Sequence, residues 1–335
     1  MQRKILAAAL FAILPTAAMA QSNVQMYGVM DAAVARQDTG TPGQGSAWVV
    51  NSGNQSSSRL GFRGTEDLGN GLKAMFNIEA GVALDTGAAD TSMFGRRSVV
   101  GLEGDFGLIT LGREYSPIAA VAAMSDIFGQ GFYGSNLSAF TRLTRRLSNS
   151  VNYKSSTWNG LRAYLAYSAG ETTTGPSGNL LGAALEYNLG NLGLSAGYHE
   201  IKRLATGNDK EMAVGAAYKL DAFEFKGGFL RADQIGPNNK FDQYNLGVSY
   251  AFDANKVFFN FQNNKIETGA KGKAYAVAYS YSLSKRTNLY ASYATLTNNQ
   301  LAVFGLSSSS TNVTPAATAL GADPKALSLG IRHTF

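Results

Sequence analysis

The residues best equipped for chemistry in this sequence are arginines that alternate with large apolar side chains. In Arg59-Leu60-Gly61-Phe62-Arg63 the two arginines share one parity, and Leu60 and Phe62 share the other. An extended chain therefore puts both guanidinium groups on one face and the apolar groups on the opposite one. A guanidinium stays charged and offers five donors in a fixed fork. A series of them along a wall can replace part of an anion's lost hydration at successive weak sites. Glu66, Asp67, Glu79, Glu103 and Glu114 can neutralise part of that positive field, and Asp126 can form an acidic side opposite a basic one. Such a transverse field would orient dipolar solutes and let ions pass in separate tracks. This is the chemistry of transient binding, with no bond made or broken.

Other chemistries find little support. His199 and His333 are the only histidines, fall in separate strand patterns and have no ligand pattern around them, so they read as polar wall positions or interface contacts. Without cysteine there is neither a thiolate ligand nor a disulfide. No phosphate loop, nucleophile elbow or nucleophile–base–acid grouping occurs, so neither an enzyme nor a cofactor is expected. The formal charge of +6 is modest. No aromatic-basic cluster or base-reading motif accompanies it, and nucleic acid is not an expected partner.

The elements that must position the arginines are short alternating strands. Leu72, Ala74, Phe76, Ile78 and Ala80 alternate with Lys73, Met75, Asn77 and Glu79, after the glycine-rich turn Asp67-Leu68-Gly69-Asn70-Gly71. The pattern recurs at Leu161–Tyr167, Leu192–Tyr198, Tyr244–Phe252, Val257–Phe261 and Tyr275–Leu283. Sixteen strands are predicted, starting near residues 23, 56, 71, 94, 107, 149, 160, 180, 192, 209, 223, 241, 256, 272, 287 and 325. The facing is ambiguous over 94–113. The last strand is Leu327 to Phe335, apolar at Leu327, Leu329, Ile331 and Phe335. The 38 glycines, 16 tyrosines and 18 phenylalanines against 7 prolines suit many strands joined by tight turns.

Connections alternate in length. Asp67–Gly71, Gly104–Gly107, Leu189–Asn191, Asp221-Ala222 and Asp253–Asn255 are short, whereas Gln37–Asn54, Glu171–Gly178, Ala205–Lys210, Gln234–Lys240 and Asn298–Asp323 are long and polar. Short turns at one rim and long loops at the other fit a transmembrane antiparallel β-barrel better than a water-soluble sandwich. Charges on the faces opposite the apolar ones (Lys73 with Glu79, Glu224 with Lys226, Arg162) and aromatics near strand ends point the same way. Unpaired edges in hydrocarbon cost several kcal/mol per group, so Leu327–Phe335 is expected to close against Val24–Val34. Sixteen strands imply a water-filled lumen. The long segment Glu114–Arg146 contains Ser116–Asp126, a short helical stretch with a proline near its start, and is expected to fold into the lumen and narrow it.

The N-terminus reads as a leader. Met1-Gln2-Arg3-Lys4 is basic, Ile5–Ile13 is an apolar run, and Ala18-Met19-Ala20 supplies small residues for cleavage after Ala20. The expected organisation is therefore a secretory signal peptide over 1–20 and one barrel over 21–335. Removing Arg3 and Lys4 lowers the formal charge from +6 to +4.

A resemblance becomes specific at Ser58–Ala74, taken with Val24–Asp31, Phe94–Leu102, Leu111-Gly112-Arg113, Asn149–Tyr153 and the terminal Phe335. These segments resemble the general-diffusion porins of beta-proteobacteria and Neisseria, from the first strand to the last. The resemblance implies an all-β, sixteen-stranded outer-membrane barrel, homotrimeric, with short periplasmic turns and a third extracellular loop folded inward. It implies passive diffusion of ions and small hydrophilic solutes. It also implies that Phe335 belongs to a signal read by the outer-membrane β-barrel assembly machinery, and that outer-membrane lipid and lipopolysaccharide surround the chain. Arg59, Arg96 and Arg146 correspond to the family's basic constriction or pore wall, with Arg63, Lys73, Arg97 and Lys154 in support. Arg142 and Arg145 have the alternative of sitting on the loop and facing outward. A modest preference for inorganic or organic anions is the expected consequence. An adhesin or purely structural barrel is the rival reading, since long loops can bind partners. Ser307–Ser310 and Thr311–Ala319 read as a flexible surface segment with no recognisable solute site.

Overall fold

The computed structural model describes residues 23–140, 142, 143, 145–172, 178–202 and 207–335. The expected leader, 1–20, lies outside the described residues. In chain order the elements are β1 (Asn23–Asp38), β2 (Ala47–Ser52), β3 (Arg59–Gly69), β4 (Leu72–Gly81), β5 (Arg97–Gly104), β6 (Gly107–Tyr115), α1 (Ile118–Ser125), α2 (Leu137–Phe140), β7 (Arg146–Lys154) and β8 (Leu161–Ser168). They continue with β9 (Leu180–Leu189), β10 (Leu192–Lys202), β11 (Asn208–Leu220), β12 (Phe223–Asp233), β13 (Phe241–Phe252), β14 (Asn255–Ile266), β15 (Lys271–Ser282) and β16 (Thr287–Asn298). β17 (Leu306–Ser307) and β18 (Asn312–Val313) form a small separate ladder, and β19 (Lys325–Thr334) ends the chain.

Each wall strand pairs antiparallel with its neighbours, and β19 closes on β1 through the register Val29↔Thr334 to Asp38↔Lys325. Phe335 extends this closure, since its N–H donates to the Gly28 carbonyl at 3.2 Å and its carbonyl accepts from the Gly28 N–H at 3.1 Å. A side chain at Gly28 would strike the Phe335 ring, so the glycine makes room for the terminal aromatic. The closed sheet is a sixteen-stave barrel in which β2 and β3 together make one stave. β1 pairs with β2 over Ala32–Gln37 and with β3 over Asn23–Val29.

The broken second stave departs from the sequence pattern, in which Gln37–Asn54 reads as one long connection. Ala47-Trp48-Val49-Val50 instead continues the period-2 pattern, with Trp48 and Val50 exposed. Between β1 and β3 the chain leaves the sheet twice, at the 39–46 connection and within the stave itself over 53–58. Asp31 accounts for the second departure: its buried carboxylate accepts the backbone N–H groups of Asn54 (3.2 Å), Gln55 (3.1 Å) and Ser56 (2.7 Å) and the Tyr290 hydroxyl (2.6 Å). Backbone donors that lose their ladder partners find a carboxylate instead, which keeps them satisfied away from water.

Along the wall, exposed apolar residues alternate with buried small or polar ones. Leu181, Leu185, Met212, Val214 and Leu246 are exposed, while Ala184, Ala213, Gln243 and Asn245 are buried. No helix among the described residues is long and apolar enough to cross a membrane, so any crossing is by strands. Aromatic residues gather at the short-turn ends, where the Phe223 ring lies 4.7 Å from Tyr250 and Tyr250 lies 5.6 Å from Phe252.

The largest buried side chains belong to the segment between β6 and β7. α1 lies against β9–β12 on the face opposite the exposed apolar side chains, where Gly197 leaves space for Val121 and Ile118 and Gly228 leaves space for Ser125. Phe132 and Tyr133 pack with Ala276, Ala294 and Tyr290. Asn245 Nδ2 donates to the Ser125 carbonyl at 2.6 Å, Asn260 Nδ2 donates to the Gly134 carbonyl at 2.8 Å, and Gln262 donates to that same carbonyl.

The serine-rich stretch after β16 also departs from its reading as a flexible surface segment. Leu306, Ser308 and Val313 are buried. Ser309 Oγ donates to the Gln130 carbonyl at 3.1 Å, and Ser57 Oγ donates to the Ser309 carbonyl at 2.9 Å. Composition suggests mobility, but Leu306 and Val313, seven positions apart, pull the stretch against the segment around Gln130.

Candidate functional site: a basic cavity

A cavity of about 710 Å³ opens between the strands β1 and β3–β8 and the segments 116–130 and 55–57, with Ser309 at its edge. Its charged lining consists of Arg59, Arg96, Arg97, Arg145 and Lys154 with Glu79 and Glu114. Strand parity delivers most of these. Glu79 and Arg97 are register partners on β4 and β5, and Arg59 lies on β3 two positions from Glu79's partner Gly61. Side chains of one parity on adjacent antiparallel strands stand together on one face.

The two carboxylates are already engaged. Arg96 Nε donates to Glu79 Oε1 at 2.6 Å, and Arg59 Nε lies 3.4 Å from Glu79 Oε2. Tyr27 also donates to Glu79, at 3.0 Å. Arg97 holds Glu114 through both Nε (2.9 Å) and Nη2 (2.5 Å), a two-point grip on one oxygen. Arg145 donates to Gln130 Oε1 at 2.5 Å and stands over the Tyr115 ring, 5.4 Å from its centroid. Lys154 Nζ lies 5.8 Å from the Tyr164 centroid. Arg145 and Lys154 therefore meet neutral partners, and the cavity keeps a positive excess. Burial lowers the Arg145 guanidinium to about 10, with Arg146 and Arg96 adding to the effect and Tyr115 opposing it. It stays charged at neutral pH.

The remaining expected residues are dispersed. Arg146 donates to the Tyr115 hydroxyl at 2.7 Å, with its guanidinium 4.6 Å from that ring, but it is not part of the cavity lining. Arg63 shares the parity of Arg59, donates to Gln25 at 3.2 Å and lies over Tyr27, outside the cavity. Lys73 is exposed beside the short β3–β4 turn, opposite Glu103. Asp126, considered for an acidic side, is wholly buried at the end of α1. It accepts the N–H groups of Phe128 and Asn136, each at 2.8 Å. Burial pushes its carboxyl up to about 6 against the pull of those backbone donors. The outward alternative for Arg142 and Arg145 does not hold. Arg142 stacks on Phe241 at 3.7 Å, with burial lowering its guanidinium, and Arg145 lines the cavity.

His199 pairs with Glu211 at 2.7 Å on β10 and β11, both fully buried, while His333 Nδ1 sits 2.8 Å from Thr287 Oγ1 at the other rim. Among the described residues no group of three His, Cys, Asp or Glu side chains is placed to hold a metal ion. The place of Arg145 in the lining escapes the sequence because its direction is set by Tyr115 and Gln130. The local signal was the run Arg142-Leu143-Thr144-Arg145-Arg146 itself.

A family model described as "Gram-negative porin" matches residues 6–301. Outer membrane porin protein 32 of Delftia acidovorans is 30% identical over 366 residues, spanning 100% of both chains. A major outer membrane protein P.IB of Neisseria gonorrhoeae is 32% identical over 201 residues, 58% of this chain and 56% of the relative. A solved structure titled as an anion-selective porin from Comamonas acidovorans superposes with a TM-score of 0.85 at 29% identity, covering 94% of this chain and 100% of that one. With the model spanning most of the chain and the barrel closing on itself, this chain belongs to the Gram-negative porin family.

Proposed function

We propose that the protein is an outer-membrane porin that passes small hydrophilic solutes by passive diffusion and favours anions. The observation that carries this reading is the charge of the cavity lining, five cations against two carboxylates that are both already bridged to arginine. An entering anion meets a net positive wall whose guanidinium and ammonium donors can stand in for part of its hydration shell. The similarity to a porin titled anion-selective agrees with this reading.

The segment 116–145 is read as the third loop, folded into the barrel and narrowing it. The contacts of α1 with small residues of β9–β12 support this. Arg59, Arg96, Arg97, Arg145 and Lys154 are proposed as the selectivity wall, with Arg146 holding Tyr115 in place behind them. The long loops face the exterior and the short turns the periplasm. Family membership supports further assignments as proposals: removal of 1–20 as a signal peptide, assembly as a homotrimer, and recognition of the strand ending in Phe335 by the barrel assembly machinery. The family's work is diffusion, and no reaction is assigned to the cavity.

Reversal potential across a potassium chloride gradient in a planar bilayer tests the reading. A potential directed toward the chloride equilibrium value is expected, and one directed toward potassium would overturn the anion preference.

A further inference from the structure

Strand register places three lysines on the outer surface of the barrel at its long-loop end. Lys265 on β14 and Lys271 on β15 are direct cross-strand partners, and Lys273 stands two residues further along β15, opposite Asn263. All three are exposed and share the parity of the exposed apolar residues Val257, Phe259, Tyr275, Val277 and Tyr279. They therefore face away from the basic cavity.

Directly opposed like charges, with Cβ atoms about 5 Å apart, oppose sheet formation. The neighbouring carboxylates do not resolve this repulsion. Asp242, the partner of Lys265 on β13, is gripped by Arg231 at 2.6 and 2.8 Å, and Glu267 in the β14–β15 turn lies 3.9 Å from Lys240. Immediately below the lysines the surface turns apolar, beginning with Phe261 and Tyr275, whose ring centroids are 5.1 Å apart. Cations directly above an aromatic band are the arrangement expected at a membrane–water interface. An isologous contact with a second copy of this chain would bring more positive charge to the same spot, whereas a phosphate bridging Lys265 and Lys271 would relieve the repulsion.

We propose that Lys265, Lys271 and Lys273 form a seat for the phosphorylated sugar headgroup of an outer-leaflet lipopolysaccharide, its acyl chains lying along Tyr275, Val277 and Phe259. The assignment rests on the barrel spanning the outer membrane with its long loops outward. Each basic residue near an anionic membrane surface contributes about 1 kcal/mol, which for three converts to on the order of a hundredfold in affinity.

The test is equilibrium binding of a deep-rough lipopolysaccharide, with and without its phosphates, to the full-length mature protein folded in a zwitterionic detergent. K265Q/K271Q/K273Q should bind the phosphorylated form on the order of a hundredfold more weakly, and K265R/K271R/K273R should retain wild-type binding. Removing the phosphates should weaken wild-type binding by a similar factor. Wild-type affinity in the glutamine variant, or equal binding of the dephosphorylated form, would overturn the proposal. So would unchanged binding accompanied by an altered oligomeric state, which would assign the face to a contact between copies. Chloride conductance of the same preparations reads the channel separately: the glutamine variant should conduct like wild type. A wild type that bound the lipid without conducting would remove the porin function and leave the lipid seat standing.

Discussion

Glu79 is held between two arginines, with Arg96 Nε at 2.6 Å from one carboxylate oxygen and Arg59 Nε at 3.4 Å from the other. This one carboxylate spaces two cations along the wall and cancels part of their field.

Replacing it frees that field. Glu79→Gln should raise the chloride-to-potassium permeability ratio by about sixfold, because one unit charge at roughly 8 Å in a watery passage shifts the two ions by about 0.5 kcal/mol each in opposite directions. Reversal potential measured in a chloride gradient checks it, and a shift toward potassium would refute the placement of Glu79 on the conducting wall.

Arg145 makes the opposite prediction. Its charge meets Gln130 and Tyr115, so Arg145→Gln should lower the same permeability ratio by about sixfold, while Arg145→Lys should hold it close to wild type. Equal ratios in wild type and the glutamine variant would remove Arg145 from the wall.

Asp126 gives a pH dependence with a defined sign. Its folded carboxyl sits at about 6, above the ordinary 3.8, because of burial. The folded state therefore keeps a proton that the unfolded chain has already released. Its stabilising contribution is complete below pH 3.8 and is lost as pH rises to about 6. At constant buffer composition, wild type should lose on the order of 3 kcal/mol relative to Asp126→Asn between pH 4 and 7. Urea midpoints for the two proteins at pH 4, 5, 6 and 7 measure this, and parallel curves would show that the carboxyl is not buried in this way.

Tyr290 and Asp31 test the wall rather than the passage. Tyr290→Phe removes the 2.6 Å hydrogen bond to a buried carboxylate and should cost about 1–3 kcal/mol. The urea midpoint should fall, whereas ion selectivity should not move, because neither residue lines the cavity. A variant as stable as wild type would show that the other donors to Asp31 suffice.

Much of the barrel is readable in the sequence because lipid outside a sheet imposes a period of two on every stave. The alternations at Leu72–Ala80 and Tyr275–Leu283, the turn at Gly69–Gly71 and the apolar series Leu327, Leu329, Ile331 record it directly. The same rule puts Arg59 and Glu79 on the polar faces of their strands. What escaped depends on contacts remote in the chain. The departure at 53–58 is polar like any loop, and its reason lies in Asp31 and Tyr290. Asp126 carries a charge suited to an acidic wall, yet the Asn136 N–H, ten residues on, claims one of its oxygens while the nearby Phe128 N–H takes the other. The serines at 307–310 suggest freedom until Leu306 and Val313 are seen to be buried together. Nothing in local composition reports a partner chosen by the tertiary fold.

The link between Asn54 and Phe132, a 2.7 Å hydrogen bond from the Phe132 N–H to the Asn54 carbonyl, joins the interrupted stave to the segment that carries Gln130. Further ties from Asn245 and Asn260 anchor the same segment to two other strands. On the proposed reading, a part bolted to its housing at several points is an orifice plate and not a valve. Flow through such an orifice would follow the concentration difference across it.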